Sequence, residues 1–288
     1  MNQRAFTLVE ILVVIAVIGL LSSIIFATTA GSREQAQIAK TLQWSRNIQS
    51  LLGADAVGIW NLDEDPAVHD TVIADLSGWG NNGTLKTSDG ATNKSVPGVV
   101  NNALSFDGVN DYVDCGSPDD YPGIKTFEIW WNRQGMSIDQ TYHVHRLLDG
   151  NNGDYGLNLT KAGRIKIIYR DAENNLSEAY YDPPSISDWY HIVGTFEDDD
   201  KARLYVNGEL KGTSNAIGDI YWSGNYNLII MGGSTLRYVP GIADEARVYD
   251  RALTIAQIES QYYAGLNRLL AKNLIDKQEY RERLAMLY

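Results

Sequence analysis

From Phe6 to Ala27 the chain reads FTLVEILVVIAVIGLLSSIIFA, 22 residues in which Glu10 is the one ionisable side chain. As a helix this run rises roughly 33 Å, enough for a hydrocarbon core of about 30 Å. It is read as a membrane span. Only MNQRA precedes it and no small-residue cleavage motif follows it, so the layout is not that of a secretory signal peptide. Arg4 holds the short end in the cytoplasm by the positive-inside tendency, which sends the rest of the chain outward. Because Arg4 and Glu10 offset each other, the whole formal net charge of -12 belongs to that outer part. Such a surface repels phosphate backbones and argues against nucleic acid as a partner. Cys115 is the sole cysteine, which excludes an internal disulfide.

An unpaired carboxylate inside the span costs on the order of 2.5–3.5 kcal/mol on insertion scales, so Glu10 calls for a partner. The stretch RAFTLVEILVVIAVIGLL closely resembles the class III leader and N-terminus of type IV pilins and type II secretion pseudopilins. That resemblance implies a prepilin peptidase that cuts between Ala5 and Phe6 and methylates the new amine. The family usually has Gly before the cut, where this chain has Ala5. It also implies that Glu10 pairs with the N-terminal amine of a neighbouring pilin or pseudopilin subunit, after a membrane-inserted stage. From Thr28 to Gly53 an imperfect stripe of Ile38, Leu42, Ile48, Leu51 and Leu52 continues the helix. The expected layout is a leader over 1–5 and a pilin-like helix over 6–53, with its transmembrane half at 6–27.

Between Gly58 and Tyr249 the helical period gives way to short runs rich in Val, Ile, Tyr, Phe and Trp, separated by Gly, Asn, Asp and Pro. VGIWNL, NALSFDG, DYVDCG, TFEIWW, YGLNLT, RIKIIYR, YHIVGTFE, ARLYVNGEL, NLIIMGG and DEARVY read as strands of an all-β sandwich. After the acidic turn EDDD, RLYVNGEL is expected to begin a strand that pairs with YHIVGTFE as a hairpin. The motifs VGIWNLDE, DLSGWGNNGTL, ALSFDGVNDYVDCG, TFEIWW, WYHIVGTFEDDDKARLYVNGEL and GIADEARVYDRALTIAQIESQY are similar, in this order, to those of the laminin G-like, concanavalin A-type lectin/glucanase family. The fold class implied is mainly β: a long N-terminal helix, then a jelly-roll sandwich over 54–264. A helical appendix over 265–288 closes the chain, with Thr254/Gln257 and Asp276/Glu279 as capping boxes.

Oxygen-bearing side chains gather at Asp75, Asn81 and Asn82, at Asp107, Asn110 and Asp111, and at Asp244 with Glu245. Calcium takes 6–8 oxygen ligands, and Gly-containing loops can wrap to supply them. The resemblance places a calcium ion where the FDG turn meets the last strand. Asp75, Asn82, Asp107, Asp111 and Asp244 are its candidate ligands, with Asx-turns as the rival reading. On TFEIWW, Trp130 and Trp131 must point to opposite faces, so only one enters the sandwich core. Trp130 is then a candidate for a glycan, together with Tyr181, Trp222 and Tyr226 from the turn-like stretches YYDPP and DIYWSGNYN. His191 reads as structural.

Glycoside cleavage needs paired carboxylates flanking the bond. No strand carries alternating acids, so the chain is expected not to be an enzyme. The expected role is a filament subunit that displays a carbohydrate- or protein-binding lectin-like domain on the cell surface for adhesion. The alternative is a secretion pseudopilin whose sandwich is a spacer or docking module.

Overall fold

The computed structural model describes residues 8–9, 11–19, 55–117, 123–135, 144–149, 155–160, 162–184, 188–197, 201–218, 227–232 and 237–286. Residues 8–9 and 11–19 are helical (α1), with exposed Leu, Val and Ile side chains. Among the described residues no helix is long and apolar enough to cross a membrane. Ala5, Phe6, Glu10, Trp222 and Tyr226 lie outside the described residues.

Two eight-stranded sheets form from the described residues. The first runs β14 (Glu209–Thr213), β13 (Ala202–Val206), β12 (Trp189–Phe196), β7 (Thr126–Asn132), β16 (Pro240–Tyr249), β5 (Asn102–Asp107) and β4 (Ser95–Pro97), with β1 (Ala56–Trp60) also paired to β16. The second runs β11 (Leu176–Tyr181), β10 (Ile165–Arg170), β9 (Gly156–Thr160), β8 (Val144–Asp149), β15 (Ile229–Ile230), β6 (Tyr112–Asp114), β3 (Gly83–Lys86) and β2 (Val72–Ile73). Every adjacent pair is antiparallel, so the fold is the mainly β sandwich that the turn-punctuated sequence implies.

Alternation along β7 explains why this sandwich has a third layer. Phe127, Ile129 and Trp131 enter the core between the sheets, beside Trp60, Phe106 and Phe196. Glu128, Trp130 and Asn132 face the other way and are buried too, so something must cover them. The cover is helical. Helix α2 (Ile255–Ala271) and helix α3 (Lys277–Ala285) place Tyr262, Leu266, Leu269 and Tyr280 in a second apolar cluster with Trp130, Trp189 and Ile242. Between the sheets, Gly194 of β12 permits close approach, since a Cβ there would lie 2.3 Å from Ile167 Cδ1.

Local signals set the helix starts. Thr254 caps α2 with the reciprocal Gln257 bond of a capping box, and Asp276 caps α3 by accepting from Glu279 N at 2.8 Å. Helix α2 is continuous from Ile255 to Ala271, across the border expected at 264/265.

Two expectations about strands are corrected. The start of RLYVNGEL lies in β13, which pairs with β12 as expected, but the run ARLYVNGEL is two strands: Asn207 and Gly208 have φ of 54° and 81°, and they join β13 to β14. Two central residues with positive φ make the type I′ turn that Asn-Gly favours. Tyr180 and Tyr181 belong to β11, paired with Lys166 and Ile165, where a turn was expected.

Candidate functional site

Strand β16 carries a bulge: its register against β7 shifts between Asp244 and Arg247, and Glu245 has φ of 52°. The extra residue leaves Asp244, Glu245 and Arg247 on the helix-covered side while Ala243 and Ala246 stay in the core. Arg247 is ion-paired with Glu245, donates to Gln261 Oε1 of α2 at 3.0 Å, and lies 3.6 Å from Glu128 Oε1. Glu128 also receives the Tyr249 hydroxyl at 2.7 Å and contacts His191 Nε2 at 2.9 Å. His191 Nδ1 has no partner among the described residues, which leaves Nε2–H as the donor. Burial alone would raise the Glu128 carboxyl; Arg247, His191 and Tyr249 outweigh it and hold the group below the usual glutamate range. Helix α2 closes over this network and ties helix to sheet through Gln261.

Beside the bulge, Asp244 is wholly buried and its Oδ2 accepts from Val100 N at 2.9 Å. The Oδ1 atom has no partner among the described residues, and burial, reinforced by Glu245, pushes this carboxyl well above the usual range. Lys272, just past α2, donates to Gly98 O at 2.7 Å and Asn101 O at 2.6 Å. Asp63 holds the same loop by accepting from Asn102 N at 2.9 Å and Asn101 Nδ2 at 3.0 Å. The 98–102 loop is thus pinned to the last strand, the C-terminal helices and the segment after β1.

The FDGVND turn is separate. Asp111 is buried and pairs with Lys94 at 2.8 Å, while Lys94 also reaches Asp89 at 2.8 Å. Asp107 Oδ1 accepts from Val109 N at 2.8 Å and Asn110 N at 3.2 Å, an Asx-type turn. Asp107 is paired with Pro240, and Leu104 with Ala243, which sets Asp107 and Asp244 towards opposite ends of the β5–β16 ladder.

Asp75 stands in a third place. Its carboxylate accepts from Ile59 N, Ser77 N and Asn81 N, each at 2.9 Å, and from Ser77 Oγ at 2.7 Å. Asn82 Oδ1 accepts from Asp75 N at 2.9 Å. The expected donors Asp75, Asn82, Asp107, Asp111 and Asp244 therefore do not converge on one point: Asp75 and Asn82 brace one loop, Asp107 and Asp111 the FDGVND turn, and Asp244 lies under the 98–102 loop, with Asp111 Oδ1 and Asp244 Oδ1 left without a partner among the described residues. They do not fit one calcium ion. Among the described residues no group of three or more His, Cys, Asp or Glu side chains is placed to hold a metal.

The aromatic expectations divide. Trp130 is buried against Tyr262 at 5.9 Å and His191 at 5.0 Å between ring centroids, so the helix layer removes it from any ligand. Tyr181 is half-buried, with Lys211 Nζ 5.5 Å from its ring centroid. Sequence reasoning passed over Trp79 in DLSGWGNNG, which is 57% exposed although every other described tryptophan is buried. A glycine on each side of it was the available signal.

A sandwich of antiparallel sheets with a pinned Gly-rich loop before its third strand defines a lectin-like domain. Residues 107–259 match the Concanavalin A-like lectin/glucanases superfamily, and the chain belongs to that family. Residues 1–26 match the prokaryotic N-terminal methylation motif, the type IV pilin leader, which implies prepilin-peptidase processing and assembly with other pilins. Adhesion G-protein coupled receptor D1 from Homo sapiens is 25% identical over 225 residues, covering 75% of this chain and 24% of the receptor. The chain thus spans about a quarter of that relative's length. Domain 4 of AbnA, an extracellular arabinanase from Geobacillus stearothermophilus solved with arabinotriose, superposes with TM-score 0.50 at 16% identity, covering 72% of this chain and 97% of that domain. The binding domain of Paraclostridial Mosquitocidal Protein 1 gives TM-score 0.54 at 20% identity, covering 75% of this chain and 53% of that one.

Proposed function

We propose that this protein is a type IV pilin-like filament subunit that displays a non-catalytic, glycan-binding sandwich outside the cell. The observation that carries this reading is the pairing, in one chain, of an N-terminal methylation motif with a lectin-like domain. Processing after Ala5 frees the Phe6 amine, and Glu10 supplies the carboxylate that a neighbouring subunit's amine answers in the apolar filament core. The membrane span then becomes the stem of a surface pilus or pseudopilus, and the sandwich is its exposed head.

The acids beneath α2 support a non-catalytic role. Glu128 and Glu245 are buried and committed to Arg247, and Asp244 is sealed under the 98–102 loop. A glycosidase needs two accessible carboxylates astride the bond. Sugar binding is supported by the scaffold, since the AbnA domain of the same fold was solved with arabinotriose.

The test has two parts. Mass spectrometry of the mature N-terminus should find methylated Phe6; an intact Met1 would remove the filament reading. The full-length protein in detergent should bind glycans on an array. Binding confined to pilin or secretion proteins would make the sandwich a docking module.

A further inference from the structure

The loop between β2 and β3 presents a tryptophan in a way that packing does not require. Trp79 is 57% exposed, and Val72 and Leu76 on the same stretch are each 58% exposed. Gly78 and Gly80 flank the ring with φ of 92° and 83°, and a Cβ added at either would meet nothing within 4 Å. The backbone beside the indole is therefore open to an approaching molecule, and left-handed φ at both positions favours glycine.

The loop that carries this ring is anchored. Asp75 takes its four hydrogen bonds from β1 and from the loop itself, and Ser77 Oγ accepts from Trp79 N at 3.3 Å. Asn81 donates to Val57 O at 3.0 Å and its carbonyl accepts from Trp60 Nε1 at 2.9 Å. Asn82 is exposed, and its amide NH2 donates to no described residue. A large apolar ring held in water by a fixed loop that also carries a spare amide donor three residues on has the chemistry that a sugar ring needs. One pyranose face stacks on an aromatic plane while hydroxyls take hydrogen bonds. Fixing the loop beforehand removes the ordering cost from binding.

We infer that Trp79 is the stacking platform of a glycan-binding site on the β2–β3 loop, with Asn82 as a hydroxyl-binding group, and that its ligand is a neutral sugar. Neutrality follows from the net charge of -12, which disfavours sialylated or sulfated chains and anionic lipid surfaces. The apolar stretch is interrupted by Ser77 and Asn82, which suits a sugar ring better than the continuous apolar core of a protein interface. The inference rests on the adhesive reading above.

The experiment uses full-length protein on an array of neutral hexose and N-acetylhexosamine oligosaccharides, printed beside sialylated and sulfated ones. Affinities for the hits are then measured for the native chain and for Trp79→Ala, Trp79→Phe and Asn82→Ala. The expected result is binding to neutral glycans that falls tenfold or more in Trp79→Ala and is largely kept in Trp79→Phe. Asn82→Ala should weaken it severalfold, and the melting temperature should be unchanged in Trp79→Ala because the ring packs on little. Native binding that Trp79→Ala leaves intact would overturn the site and keep the adhesive reading. Recognition of acidic glycans alone would overturn the neutral ligand class, and no binding to any sugar would remove the adhesive reading together with this site.

Discussion

Gly265 of α2 lies so close to Trp130 of β7 that a Cβ built on it would sit 2.1 Å from the indole Cζ2 and 2.7 Å from Cε2. The helix can rest on the sheet only because that side chain is missing. Gly265→Ala sets two effects against each other. Alanine is the better helix former by about 1 kcal/mol, but overpacking a fixed ring typically costs about 1–3 kcal/mol. Trp130 is stacked on Tyr262 and has nowhere to move, so we expect net destabilisation. Guanidinium denaturation of the full chain checks this; a native or raised midpoint would mean that α2 does not seat on Trp130.

Glu128→Leu should cost about 3–5 kcal/mol, because it strips buried Arg247, Tyr249 and His191 of a shared acceptor. The isosteric Glu128→Gln gives the pH test. The folded-state carboxyl is held below its ordinary value, so its contribution is present above roughly pH 4.3 and is lost as pH falls through the lower folded value. The stability gap between native chain and Glu128→Gln should therefore close in acid. A gap of constant size down to pH 3 would contradict the pairing.

Asp244 behaves in the opposite sense. Its carboxyl is pushed up by burial, so the folded state favours the proton, and stability declines as pH rises from the ordinary aspartate value through the folded one. Asp244→Asn keeps the acceptor for Val100 N and removes the buried charge. Melting curves from pH 4 to 8 should show the variant gaining on the native chain as pH rises. Equal slopes would show that Asp244 is not desolvated.

Lys272→Met removes the two carbonyl contacts that fasten the end of α2 to the 98–102 loop. The residue lies at the surface, so the expected loss is about 1.5 kcal/mol, at the low end for charge-assisted bonds. Amide exchange should quicken in α3 and at residues 98–102 while the β7–β12 ladder keeps its protection. Uniform loss across the sandwich would argue against a local fastening.

The fold was legible because strand and turn chemistry is local: alternation in TFEIWW, the Thr254/Gln257 box and the Gly-rich loops all speak within a few residues. Asn207-Gly208 was equally local, yet the apolar residues on either side made one strand an easy reading. The site was less legible for a different reason. Whether Trp130 meets solvent depends on a helix that begins 125 residues later, and the two tryptophans of β7 differ only in which layer lies above them. The acidic motifs misled because an oxygen that caps a turn and one that binds a cation look alike until its neighbours are known. Asp75 and Asp107 spend theirs on backbone amides, and Asp111 on Lys94.

The attachment of the 75–82 loop to β1 has a mechanical consequence. Asp75 grips Ile59, Asn81 grips Val57 and Trp60, and β1 starts at Ala56, at the N-terminal edge of the sandwich sequence. On the adhesive reading proposed for the chain, tension between a surface held at that loop and the filament would pass through a few residues of one strand. Because β1 is laced antiparallel to β16, the load spreads along that ladder.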